Sequence, residues 1–428
     1  MAASANKPAP TADWSLTAGS STWNKLFDRY YRKKELYTME WGEDVDLAKM
    51  VVAGSRFAGP IAMIRDDRKV SLIGAGATLR PTLTIHSCSG QLLASIPWKV
   101  PRLAEMGWTD NERLVCVSDD GTVLMYASNG RLVQTFTMGP ECKDEGVHAS
   151  RIWGGGAVCL TRGGSLVYVD DWEDPVPRKM PRVGDQYGEV VCMEVIEPRM
   201  TASKGLEVLL AVDKTVLTVD LAGVTDHKLA AGPVRAMSVC PNGRMLACFT
   251  GDGVVWVLTT DFAKNLSEFP TKSQVPPTQL AWCGTDSVVL YWSKLLLMVG
   301  PYGDWVKYSY DEPLCLIPEY DCVRVLSTSS HEMLQRVPTA CVEVLKLGSC
   351  TPAAMLLDAK QLLDANDPKA DGVLRSILDS LPEAVWGCVL AAVEETDVGL
   401  QKALLAAASY GHALIGRDGP SPSDDGER

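Results

Sequence analysis

Residues that special chemistry requires are scarce in this sequence. Five histidines are spread over 428 residues, and His331-Glu332 has no second histidine at the spacing of a metalloprotease helix. The 13 cysteines stand singly, without a CxxC pair or a Cys/His cluster. That pattern argues against a zinc module and against a disulfide framework. Most of them sit in apolar runs, such as Cys116 in LVCVS and Cys159 in AVCL, and are expected to be buried, reduced thiols of a cytosolic protein. A long apolar run is also missing. The longest, SVVLYWSKLLLMVG, is broken by Lys294 and is too short to span a bilayer. The opening MAASANKPAPTADWS has no apolar core, so a secretory signal is not expected, and without one the triplet Asn265-Leu266-Ser267 says nothing about glycosylation. Positive charge is in deficit: the formal net charge is −12 and the pI about 5.0. No nucleic-acid partner is expected, nor a basic surface held on anionic lipid.

What is present is an ordinary globular balance, 46% hydrophobic and 22% charged residues, in a chain long enough to bury a large core without a metal or disulfide. The length suggests two or three domains. Residues 103–136 read as four apolar runs separated by TDN, DDG and SNG, each separator able to supply the residue of positive φ that a tight hairpin needs. The pattern returns at 234–260 and 278–310, with weaker copies near 61–98, 149–180 and 190–229 and a shorter one at 314–338. A step near 41–46 residues with four short strands per unit predicts a mainly β, seven-bladed β-propeller. First strands are expected near 61, 103, 149, 190, 234, 278 and 314. The last unit is short, so ELYTMEW at 35–41 is expected to close the ring.

Strand alternation stops near residue 350. Thr351-Pro352, Asp367-Pro368, Pro382 and Asp397 each open an Ala/Leu-rich segment with an N-cap or an early proline. Four helices with short loops predict the start of an α-solenoid. The resulting division is an N-terminal extension at 1–35, the propeller at 36–340, the first solenoid helices at 341–416 and a disordered polar tail at 417–428.

Each candidate for chemistry has a plainer structural reading. GAGAT (Gly74 to Thr78) and GGGAV (Gly154 to Val158) complete neither a dinucleotide fingerprint nor a phosphate loop and fit hairpin turns. Asp170, Asp171 and Asp174 in DDWEDP lack calcium-loop spacing and read as a solvated blade edge. The histidines read as surface or turn residues. No GxSxG elbow occurs. Trp108, Trp153, Trp256, Trp282, Trp292 and Trp305 lie in or beside strands without basic neighbours, and read as inter-blade packing residues. Arg29, Arg32, Lys33 and Lys34 flank Tyr30 and Tyr31; the tyrosines are expected to pack and the charges to stay in water. No catalytic, cofactor-binding or metal-ligating residue is assigned, and no cofactor is expected. An enzyme would need acidic groups converging at the propeller channel, which sequence alone does not show.

Several long segments, in order, resemble one family. They are WNKLFDRYYRKKELYTMEW, GPIAMIRDDRKV, CPNGRMLACFTGDG, QLAWCGTDSVVLYW, LLLMVGPYGDWVKYSYDEP, LIPEYDCVRVLS, HEMLQRVP, LGSCTPAAMLLDA and KALLAAASYG. Together they span about residues 23–411 and are similar to the vacuolar protein sorting-associated protein 16 family, in a form nearest its plant and algal members. The resemblance implies a non-enzymatic scaffold subunit of the class C core of HOPS and CORVET tethering complexes. Its members join a propeller to a long solenoid and act in fusion of endosomes with vacuoles or lysosomes. Implied partners are the other class C subunits. Docking of the Sec1/Munc18-type subunit is implied for later solenoid helices that this sequence does not include, so no residue here carries that role. Implied localisation is cytoplasmic, peripheral on late endosome and vacuole or lysosome membranes, with membrane contact through partners. A free-standing protein-binding propeller is the alternative reading.

Overall fold

A computed structural model of the chain describes residues 23–42, 45–69, 81–213, 215–229 and 232–415. Two compact units emerge: residues 33–335, and residues 23–32 together with 336–415.

The described residues contain seven antiparallel sheets. Blades one to six open with the strands Met50–Gly54, Leu103–Trp108, Val147–Trp153, Val190–Ile196, Val234–Val239 and Gln279–Cys283, and each is a four-stranded meander in chain order. The seventh blade takes Cys315–Pro318, Cys322–Leu326 and Ser330–Arg336 and completes itself with the early strand Arg29–Thr38, on whose outer edge the short strand Asn24–Leu26 adds a fifth. The ring is therefore seven-bladed and closed by the N-terminal side of the chain. The closing strand begins at Arg29 rather than at 35, and blade one opens at Met50 rather than near 61. Met50–Gly54 is only half-buried along its length and shows little alternation, so it does not announce itself. The wide separation in sequence between Ile61–Arg65 and Thr82–His86, with GAGAT at 74–78 outside the described residues, made a start at 61 look evenly spaced.

Two turns show why the separators carry glycine. Gly121, in the DDG turn, has φ 77°, and a Cβ there would strike the Cβ of Cys142. Gly253, in GDG, has φ 78°, and a Cβ would meet the Ser273 carbonyl. The opening strands of blades two to five share a one-residue register shift, between Leu103 and Glu105, Val147 and Ala149, Val190 and Cys192, and Val234 and Ala236. A bulge repeated at one position is a feature of the repeat itself. Cys142 belongs to α1 (Pro140–Glu145), a single helical turn between blades two and three that the strand pattern did not foresee.

The core lies between blades. One cluster joins Ile85 and Leu83 of blade one to Trp108 and Cys116 of blade two; another joins Leu160 and Tyr168 of blade three to Leu210 and Leu217 of blade four. Strands such as Leu114–Ser118 are buried at every position because both faces of a blade are covered. Trp108 and Trp282 pack as expected, and each indole N–H donates to the preceding blade, to the Ala53 carbonyl at 2.9 Å and the Ser238 carbonyl at 2.8 Å. Trp153 is buried and Trp256 and Trp292 are half-buried, but Trp305, on the outer strand of blade six, is 55% exposed and packs between no blades. Outer strands have solvent beyond them.

The second unit contains α2 (Thr339–Leu345), α3 (Pro352–Asp364), α4 (Lys369–Arg375), α5 (Leu381–Glu394) and α6 (Val398–Ile415). Thr351 Oγ1 accepts from the Ala354 N–H and Asp397 from the Leu400 N–H, so both expected caps form. Leu356, Leu381, Ala384, Cys388, Leu404 and Ala407 make its core. Arg32 is not in water as expected: it donates to Glu395 at 2.8 Å, in a pair whose side chains are 9% and 1% exposed. Glu395 also accepts the N–H groups of Thr396 and Asp397. Among the described residues no single helix is long and apolar enough to cross a membrane.

Candidate functional site

The inner strands bring charged side chains together where one sequence could not show it, along the channel. Glu105, Arg151 and Glu194 come from the opening strands of three successive blades. Arg151 stands 3.4 Å from Glu105 and 3.3 Å from Glu194. About a third of the arginine side chain meets the channel space. Burial raises the proton affinity of both carboxylates, against the pull of Arg151. For Arg151 burial works the other way, but Glu194 and Glu105 outweigh it and hold the guanidinium charged.

A second chain of charges lies toward the loops that join first to second strands. Glu197, nearly buried, receives Arg199 at 2.6 Å and Arg56 at 3.4 Å, and Arg199 also reaches Asp110 at 3.4 Å. Between them two cavities of about 260 and 310 Å³ open, sharing Arg56, Ile152, Trp153 and Pro318 as walls.

A third cluster fastens blade seven to blade one. Arg324, 1% exposed, donates to Glu319 at 2.6 Å, to the Ser55 carbonyl, and to His331 Nε2 at 3.3 Å. An arginine can only donate, so Nε2 accepts and the proton sits on Nδ1, which donates to the Cys88 carbonyl at 2.8 Å. Burial, and then the nearby Arg324 charge, lower the His331 proton affinity. Glu319 continues outward and accepts the N–H groups of Phe57 at 2.8 Å and Ala58 at 3.4 Å.

His331 and His86 are buried, at 0% and 6% exposure, not at the surface; a strand inside a closed ring buries whatever faces the next blade. Glu332 receives the Tyr310 hydroxyl at 2.7 Å and Lys33 at 3.0 Å. Gly154 turns between the first two strands of blade three and accepts the Trp172 indole N–H at 3.0 Å. Asp170, Asp171 and Asp174 lie exposed in the loop between the third and fourth strands of that blade, and Asp170 pairs with Arg178 at 2.9 Å. GAGAT lies outside the described residues. Among the described residues no group of three or more His, Cys, Asp or Glu is placed to hold a metal ion. Chemically, the channel holds carboxylates already bound to guanidinium groups. Sequence reasoning missed Glu105, Arg151 and Glu194 because their 43- to 46-residue spacing becomes a neighbourhood only once blades stack.

The family described as "Vps16, N-terminal region" matches residues 19–423. Protein VACUOLELESS1 of Arabidopsis thaliana is 43% identical over 419 residues, 92% of this chain and 49% of that protein. The vacuolar protein sorting-associated protein 16 homolog of Dictyostelium discoideum is 32% identical, over 94% of this chain and 49% of its own length. The Drosophila melanogaster protein of the same description is 29% identical, over 93% and 49%. The chain thus spans about half the length of the curated relatives it matches. With this propeller-and-helix architecture and a match to nearly its whole length, the chain belongs to the Vps16 family.

Proposed function

We propose that the chain is the propeller-bearing part of a non-enzymatic scaffold subunit of a HOPS/CORVET-type tether, acting in transport to the vacuole or lysosome. The observation that carries this reading is the family match over residues 19–423. The channel supports it. A hydrolase or lyase would use a carboxylate free to exchange protons with substrate, whereas Glu105 and Glu194 flank Arg151 and Glu197 is held by two arginines. A rigid ring offers two loop faces and a rim for protein contacts instead. Its partners are the other class C subunits, and it reaches late endosome and vacuole membranes through them.

Affinity purification of the tagged chain from cells expressing the separate class C subunits tests this. Recovery of those subunits in constant proportion is expected. Recovery of none, from cells in which the chain is soluble and folded, would favour a free-standing protein-binding propeller. Turnover abolished by Glu105→Gln or Glu194→Gln would overturn the non-enzymatic reading.

A further inference from the structure

Phe57 is 73% exposed, at the tip of the loop between the first two strands of blade one. Its backbone and that of Ala58 adopt φ 57° and 55°, a region unfavourable to residues with a Cβ and rare for a bulky one. The conformation is held by Glu319 through both N–H groups, and Glu319 by the buried Arg324. A buried ion pair is thus committed to keeping an aromatic ring in solvent. On one side of it lies the 260 Å³ cavity, walled by Phe57, Trp108, Trp153, Ile317 and Pro318.

The rim of that cavity is acidic. Asp110 and Glu112 line it. Asp171, Glu173 and Asp174 are exposed in the neighbouring loop of blade three. That loop is tied to the same face by the Trp172 bond to Gly154 and by Arg113 at 2.9 Å from Glu173. The cations nearby are already engaged, Arg113 with Glu173, Arg56 with Glu197 and Arg199 with Glu197 and Asp110. An exposed aromatic beside a cavity with aromatic walls and an acidic rim selects its complement. We propose that this mouth of the propeller docks an extended basic protein segment, which sets an apolar side chain against Phe57 and lysines or arginines against the carboxylates of blades two and three. The proposal stands on this geometry and not on membership of a tether.

The test uses the whole chain and two fluorescein-labelled peptides, Lys-Arg-Gly-Leu-Phe-Gly-Arg-Lys and its charge-reversed form Glu-Asp-Gly-Leu-Phe-Gly-Asp-Glu, read by anisotropy. The basic peptide is expected to bind, more weakly at about 200 mM than at about 50 mM salt, and the acidic one not to bind. Phe57→Asn, which tolerates the left-handed backbone, is expected to weaken binding about tenfold or more with an unchanged melting temperature. The triple variant Asp171→Asn, Glu173→Gln, Asp174→Asn should weaken it and flatten its salt dependence. Trp305→Ala, an exposed aromatic elsewhere, should bind like the parent. Equal binding by Phe57→Asn and parent, equal binding of the two peptides, or no anisotropy change up to about 1 mM peptide would each overturn the proposal.

Discussion

Trp282 and Trp305 are the same residue type in the same blade and experience opposite environments. Trp282 is 2% exposed and bonded to blade five; Trp305 faces water. Replacing Trp282 by Ala leaves a cavity between blades and orphans the Ser238 carbonyl, and is expected to cost about 3–5 kcal/mol. Trp305→Ala is expected to change stability by less than about 0.5 kcal/mol. Denaturant midpoints of the two variants check both. His331 adds a pH dependence with a definite sign. Its folded-state proton affinity lies below the ordinary histidine value of 6.5. Below that pH the unfolded chain takes up a proton that the folded chain refuses, so stability falls with pH from about 6.5 downward, by up to about 1.4 kcal/mol per unit, and is unaffected above about 7.5. Around the ring stand Arg324, whose charge opposes a second proton, Glu319 and the Cys88 carbonyl, which favour it, and Tyr37; with burial the balance is downward. His86 and His227 shift in the same direction. Melting curves of His331→Gln against the parent between pH 5.5 and 7.5 therefore isolate one share of the slope; equal slopes would show that His331 takes up its proton as readily in the folded chain as in the unfolded one.

At the scale of elements, the helical unit is held by caps and one buried ion pair. Thr351→Ala removes the acceptor for the Ala354 N–H and should cost about 1 kcal/mol, with Thr351→Ser close to the parent. Glu395→Ala leaves Arg32 buried without its carboxylate and exposes two N–H groups at the start of α6, for a loss of about 3–5 kcal/mol, read by thermal melts. The caps were legible beforehand, because a cap is a local pairing of side chain and backbone three residues apart. So were the blades, whose separators demand positive φ at fixed intervals, as at Gly121 and Gly253. The fate of Arg32 was not, since its partner lies 363 residues away. The short α1 escaped notice because six residues, PECKDE, carry no period. The channel charges escaped for the same reason as Arg32: Glu105 and Arg151 touch through the curvature of the ring, a property of no single segment.

For the molecule as a whole, the closing strand decides whether the ring is sealed. A chain beginning at Met39 would leave Ser330–Gln335 as an open edge in blade seven. Such a chain is expected to associate through that edge and to lose a single sharp unfolding transition. Light scattering on a sizing column and calorimetry would show it; a monomer melting like the full chain would mean that three strands suffice for the last blade. The same seam has a consequence in time. Trp41 bonds the Thr328 carbonyl across 287 residues, and the closing strand lies just before it. At translation rates of about 5–20 residues per second, the N-terminal strand waits roughly a quarter of a minute to a minute for its neighbour to be made. Throughout that interval the strand's edge toward Ser330–Arg336 is unpaired and Tyr31, fully buried in the folded chain, is uncovered, so chaperone occupancy during synthesis should peak early and be released only when blade seven emerges from the ribosome.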